Sequence, residues 1–98
     1  MSEVPARRVE SFDDLANPGD FMFTHNNAGE IVGMIEMCPC GCRALGSIAF
    51  KHAWRDPGER PVWEWNGSKD KPTLTPSVQR TEGCKWHGWL KGGVWKSC

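Results

Sequence analysis

Three cysteines fall within five residues at Cys38-Pro39-Cys40-Gly41-Cys42, and a fourth stands three positions before a histidine in Cys84-Lys85-Trp86-His87. Thiolates joined by one imidazole make a soft donor set suited to Zn²⁺, and ligands arriving as two separated short clusters let one ion clamp distant parts of a small fold. Cys38, Cys40, Cys42, Cys84 and His87 compete for the four positions of a tetrahedral site, so one of them is surplus. Four protein ligands make a structural centre, whereas a catalytic zinc keeps one position for water. Iron is the competing metal at thiolate-rich sites. Cysteines also serve as small buried hydrophobes, but Pro39 and Gly41 make a turn that exposes its neighbours.

Other residues offer less chemistry. His25 and His52 fall in expected loops without a partner at ligand spacing and read as exposed loop histidines. Glu64 could act as a general base beside an open zinc, but zinc deaminases set their glutamate two residues after a ligand, and no His-x-Glu occurs here. A second pattern lies in the tail, where Trp86, Trp89 and Trp95 alternate with Lys85, Lys91 and Lys96. Stacking faces interleaved with cations are what single-strand nucleic-acid binders use. The competing reading is that the tryptophans fill a core short of Leu and Ile while the lysines form a solvated face.

The elements that must position these residues are short. With 98 residues, 39% of them hydrophobic, the chain is expected to form one domain with a thin core, which a metal would reinforce. Net charge is zero, yet residues 1–50 carry three Lys/Arg against seven Asp/Glu and residues 51–98 carry nine against five. That dipole can steer a charged partner, but it lacks the one-signed excess of a dedicated nucleic-acid binder. No apolar run approaches the length of a membrane span, and the first residues lack the apolar stretch of a signal peptide, so a cytoplasmic location is expected. A reducing compartment and an odd cysteine count favour metal ligation over disulfides.

Residues 1–10 are polar and aperiodic and read as a flexible N-terminal arm, leaving 11–98 as a single β-rich domain. Ser11 caps a helical turn carrying Asp13 and Asp14, which Asn17-Pro18-Gly19 stops. Extended runs follow at 21–24 and 30–37, with His25-Asn26-Asn27-Ala28-Gly29 as the hairpin loop, and then at 44–50 beyond the cysteine turn. Strand, Cys-rich turn and strand in that order form a zinc-knuckle-like scaffold. Residues 61–65 alternate, with Val62 and Glu64 on one face and Trp63 and Trp65 on the other. Pro76 interrupts the piece at 74–79 and restricts it to a sheet edge or bulge. Gly92-Gly93 suits the primed turn of a hairpin over 86–95.

The order of Cys-Pro-Cys-Gly-Cys, then Pro72-Thr73-Leu74-Thr75-Pro76-Ser77-Val78, then Gly83-Cys84-Lys85-Trp86-His87-Gly88-Trp89-Leu90, then Gly92-Gly93-Val94-Trp95 resembles a family of small bacterial and tailed-phage proteins known only as a domain of unknown function. The resemblance runs from about residue 36 to the end. Arg43 stands where relatives often carry Gly, and the ending Trp95-Lys96-Ser97-Cys98 displaces the terminal cysteine from its tryptophan. Relatives found in phage genomes, and beside bacterial ubiquitin-like conjugation genes, imply an accessory or host-conflict role without an established activity.

These readings together describe a small mostly-β, zinc-stapled single domain built from hairpins. Its expected role is an interaction module with a structural Zn²⁺ and a protein partner, without catalysis of its own, in the host cytoplasm if phage-encoded. Single-stranded nucleic-acid binding through the Trp/Lys face of residues 85–96 is the second reading. A metal-dependent hydrolase is the third.

Overall fold

Asn26 explains why the first hairpin turns where it does. Its side-chain Oδ1 accepts the N–H groups of Ala28 at 2.9 Å and Glu30 at 3.0 Å, and Gly29 takes the positive φ of 82° that the turn demands. In the computed structural model, which describes residues 3–53, 61–79 and 85–97, this loop joins β2 (Phe21–His25) to β3 (Ile31–Met37). The cysteine turn then leads to β4 (Leu45–Ala49), closing a three-stranded antiparallel sheet in the order β2-β3-β4. The chain is mostly β, as expected from its short extended runs and turn signals.

The remaining strands are β1 (Glu3–Pro5), β5 (Glu64–Trp65), β6 (Leu74–Thr75), β7 (Val78–Gln79), β8 (His87–Lys91) and β9 (Val94–Ser97). Strands β5 and β6 pair with each other, and the others form a four-stranded sheet in the order β1-β9-β8-β7. Pro76 therefore does more than interrupt an edge strand. Residues before it belong to one sheet and residues after it to another, a crossing at which proline's missing N–H costs no ladder bond. The Thr75–Pro76 peptide is cis.

Gly92 and Gly93 take φ of 57° and 82°, the two positive values of a primed turn, and set Leu90 opposite Trp95 and Trp89 opposite Lys96. The turn is tied down by Gly92 N–H donating to Thr73 Oγ1 at 2.8 Å and Gly93 N–H donating to the Pro72 carbonyl at 2.9 Å.

Residues 3–9 correct the expectation of a loose arm. Glu3, Val4 and Pro5 pair with Lys96, Trp95 and Val94, and Val9 is buried with Leu15 and Met37 in a small cluster of its own. Two contacts explain the docking. The Trp95 indole N–H donates to the Gly19 carbonyl at 3.0 Å, and a Cβ at Gly19 would sit 2.8 Å from both the Pro5 carbonyl oxygen and Val4 Cγ1, so only glycine lets β1 approach. Arg7 then forks onto the buried Asp20 carboxylate at 3.1 and 2.7 Å, while the N–H groups of Ala16 and Asn17 donate to the same carboxylate. The turn expected to be capped by Ser11 is a single 3-10 turn, Phe12–Asp14, and Ser11 does not cap it: its hydroxyl donates to the Asp14 carboxylate at 3.1 Å instead of accepting a backbone N–H.

The main core draws on all three sheets. Phe21, Met34, Phe50, Leu74, Leu90 and Trp95 are fully enclosed, with Phe23, Ile48, Val78, Trp86 and Cys38 completing the cluster. Trp86 packs edge-on to Trp95 at a centroid distance of 5.8 Å, over Gly88, where a side chain would meet the indole. Trp63 and Trp65 pack against this core, with Trp65 stacked on Phe50. The tryptophans thus supply the bulk that the aliphatic content lacks.

Candidate metal centre and serine–histidine pair

The turn between β3 and β4 gathers three sulfurs. Cys38 N–H donates to the Ala44 carbonyl at 2.8 Å, which fastens the base of the turn, and Gly41 takes a φ of 93° that bends the chain between Cys40 and Cys42. The Sγ atoms of Cys38, Cys40 and Cys42 consequently lie within 4.8 Å of one another, with Cys38 and Cys40 at 3.3 Å. A tetrahedral ion with metal–sulfur bonds of about 2.3 Å would hold its sulfurs roughly 3.8 Å apart, so the donor set matches a thiolate-bound cation. Cys42 N–H donates to Cys40 Sγ at 3.4 Å, the kind of contact that stabilises a ligating thiolate. Cys38 is enclosed in the core, whereas Cys40 and Cys42 are exposed.

Cys84, the expected partner from the second cluster, lies outside the described residues. His87 lies among the described residues. It opens β8 and does not belong to the described group of mutually close sulfurs; its Nε2 lies 2.9 Å from Ser77 Oγ.

The Ser77–His87 contact follows from the strand register. Ser77 directly precedes β7, and β7 pairs with β8 so that Val78 faces Gly88 and Gln79 faces His87. Ten residues of separation in sequence thereby become one hydrogen bond. The serine backbone is held from the other side: the Trp63 indole N–H donates to the Ser77 carbonyl at 3.0 Å, and Trp63 itself exchanges backbone bonds with Ala49 and Lys51 at the end of β4. Both Ser77 and His87 are half-buried, anchored on the core side and open on the other.

A hydroxyl within 2.6–3.2 Å of an imidazole nitrogen is the geometry in which the ring can take the hydroxyl proton as oxygen attacks an acyl carbon. Sequence reasoning missed this serine, although it stands in the Pro72–Val78 motif. The signal was a serine after a strand-breaking proline, followed at short range by a histidine.

The proposed nucleic-acid face is divided by burial. Trp86 and Trp95 are inside, exposed by only 9% and 1%, and cannot stack on bases. Trp89 is half-buried, with Lys91 Nζ 5.3 Å from its ring centre, and Lys85 and Lys91 are exposed. No helix among the described residues is long and apolar enough to cross a membrane.

No curated protein and no solved structure matches the chain. A family profile does match, and it extends to the N-terminal segment that the motif resemblance left out. Over residues 8–98 the chain belongs to the BubE family, described as bacterial ubiquitination-like system serine protease.

Proposed function

We propose that this protein is a serine protease of a bacterial ubiquitination-like system in which Ser77 is the nucleophile and His87 the general base. The observation that carries the proposal is the 2.9 Å contact between Ser77 Oγ and His87 Nε2, and the family's description supports it. His87 Nε2 accepts the hydroxyl proton as Ser77 Oγ bonds to the substrate carbonyl carbon. The same imidazolium returns that proton to the departing amine nitrogen, so the amine leaves and an ester to Ser77 remains. Water then attacks the ester with His87 again as base, which releases the carboxylic acid and restores the serine. The substrate class suggested by the family is a peptide or isopeptide bond at the tail of a ubiquitin-like protein.

We read the cysteine turn as a Zn²⁺ site, since mutually close thiolates suit a soft, tetrahedral ion, with iron as the competing occupant. When bound, such an ion supplies cross-linking rather than acyl chemistry. Cys38, Cys40 and Cys42 would hold it, with Cys84 proposed as the fourth ligand from its place in the sequence, while His87 is assigned to Ser77. A protein partner therefore enters as substrate, and thiol ligation suits the cytoplasm, where thiols stay reduced.

The test is turnover of a ubiquitin-like protein carrying a short C-terminal extension, taken from the same kind of operon. Ser77→Ala and His87→Ala should each lower kcat by at least about 10³-fold while the circular dichroism spectrum stays unchanged. Full activity in folded Ser77→Ala protein would refute the assignment.

A further inference from the structure

The outward face of the four-stranded sheet continues from the catalytic pair. Opposed residues in an antiparallel ladder share a face, so the register places Gln79, His87, Trp89, Lys91, Lys96, Val94, Glu3 and Pro5 on one side. Val78, Leu90 and Trp95 go to the other side and are buried. Along β8 the outward residues His87, Trp89 and Lys91 form a row. The Trp89 ring lies 6.3 Å from the His87 ring at a 32° tilt, and Lys91 Nζ stands 5.3 Å from the Trp89 centroid. Four residues at about 3.3 Å each put Lys91 roughly 13 Å from His87, the reach of a short extended peptide.

Burial removes Trp86 and Trp95 from any surface role, yet Trp89 stays half-exposed beside a catalytic base. An indole used only as core bulk would point inward, as those two do. The charges on this face are also uneven. Glu3 is registered on Lys96, whereas Lys91 is registered on Val94 and brings a cation to the end of the row without an acid across from it.

We infer that Trp89 and Lys91 form a substrate subsite of this centre, which receives an extended acidic segment of the substrate protein with an apolar side chain or backbone on Trp89 and a carboxylate on Lys91. The inference rests on the Ser77–His87 reading for its location. Its chemistry is that of a flat apolar platform with a cation at one end: the indole takes up apolar area, and the exposed ammonium beside it pairs with a carboxylate. Continuity with His87 makes this a subsite rather than a separate interface. A nucleic acid would ask for successive stacking rings, and among the described residues this face offers one indole beside the imidazole that is hydrogen-bonded to Ser77.

The experiment uses the full-length Ser77→Ala protein and fluorescence anisotropy. The probes are three fluorescein-labelled twelve-residue peptides that share Leu, Gly and Ser at eight positions and carry four Glu, four Gln or four Lys at the rest. The Glu peptide should bind at least tenfold more tightly than the Gln peptide and lose most of that advantage between 50 and 300 mM salt. Lys91→Glu should abolish or reverse the preference, and Trp89→Ala should weaken the Glu and Gln peptides alike. Lys91 is exposed on a strand end, so its variant should fold, and reaction of Ser77 with a fluorophosphonate in an otherwise unmodified Lys91→Glu protein checks this. Equal affinity for the Glu and Gln peptides, or a preference that Lys91→Glu leaves unchanged, would overturn the subsite. So would tighter binding of a labelled oligothymidylate than of the Glu peptide. Activity retained by Ser77→Ala would sink the catalytic reading instead, and the anisotropy would still decide for or against an acidic docking face.

Discussion

Two residue pairs do different work in this molecule. Ser77 and His87 stand half-exposed and are suited to chemistry; Arg7 and Asp20 secure the N-terminal segment. Burial pushes the Asp20 carboxyl up, but the Arg7 guanidinium and the N–H groups of Asn17 and Ala16 together hold it below the usual carboxylate range. A depressed carboxyl stabilises the fold fully above its unfolded value near about 4 and loses that contribution as pH falls through the lower folded value. Asp20→Ala should therefore cost about 1–2 kcal/mol at pH 7, leaving the Arg7 fork and the N–H groups of Ala16 and Asn17 without their shared acceptor, and the cost should shrink below about pH 4. Urea unfolding at pH 7 and pH 3 measures this, and an equal loss at both would count against the ion-bound carboxylate. At this scale the sequence was least legible. His87 reads naturally as a zinc ligand because it follows a cysteine at ligand spacing, and Ser77 reads as an unremarked strand residue. Their meeting depends on a register between two strands, one of them two residues long, that no local pattern encodes.

Among the elements, hairpins were the readable part. Loops bearing Asn and Gly, and Gly92-Gly93, mark turns by conformational need, and 30–37 stands out as an extended run between turn signals. The three residues of β1 are too few for a period to show, and the docking of that strand depends on Gly19 and Trp95, far away in sequence. Gly92 gives a clean test of the turn, since a Cβ there meets nothing within 4 Å and only its φ of 57° matters. Gly92→Ala should lower stability by about 1 kcal/mol, or roughly 4–8 °C in Tm, while Gly92→Asn, which tolerates the left-handed region, should cost much less. At Gly93 the Lys71 Cα would lie 3.2 Å from a new Cβ, so Gly93→Ala should be the more damaging of the two alanine variants. Equal melting temperatures for all three variants would contradict the primed turn.

For the whole molecule, a thin core is divided among three small sheets, and the cysteine turn closes one end of the β3–β4 hairpin. A chain with so little aliphatic bulk is the kind that a metal stabilises, because binding energy realised only in the folded state is folding energy. Chelation at neutral pH, or Cys40→Ser, should lower the melting temperature by tens of degrees, and mass spectrometry of the native protein should find one zinc per chain. Native metal-free protein with an unchanged melting curve would remove the clamp from this description. On the proposed reading the metal supports the scaffold and the serine acts, so stability and chemistry are testable separately. The most direct measurement is reaction of the native, metal-replete protein with diisopropyl fluorophosphate, followed by peptide mapping. One diisopropylphosphoryl group should attach at Ser77 with loss of fluoride, and His87→Ala should suppress it without altering the melting temperature by more than a few degrees. A native protein that takes up no label, or takes it up at another serine, would contradict the assignment of Ser77 and His87 as the catalytic pair.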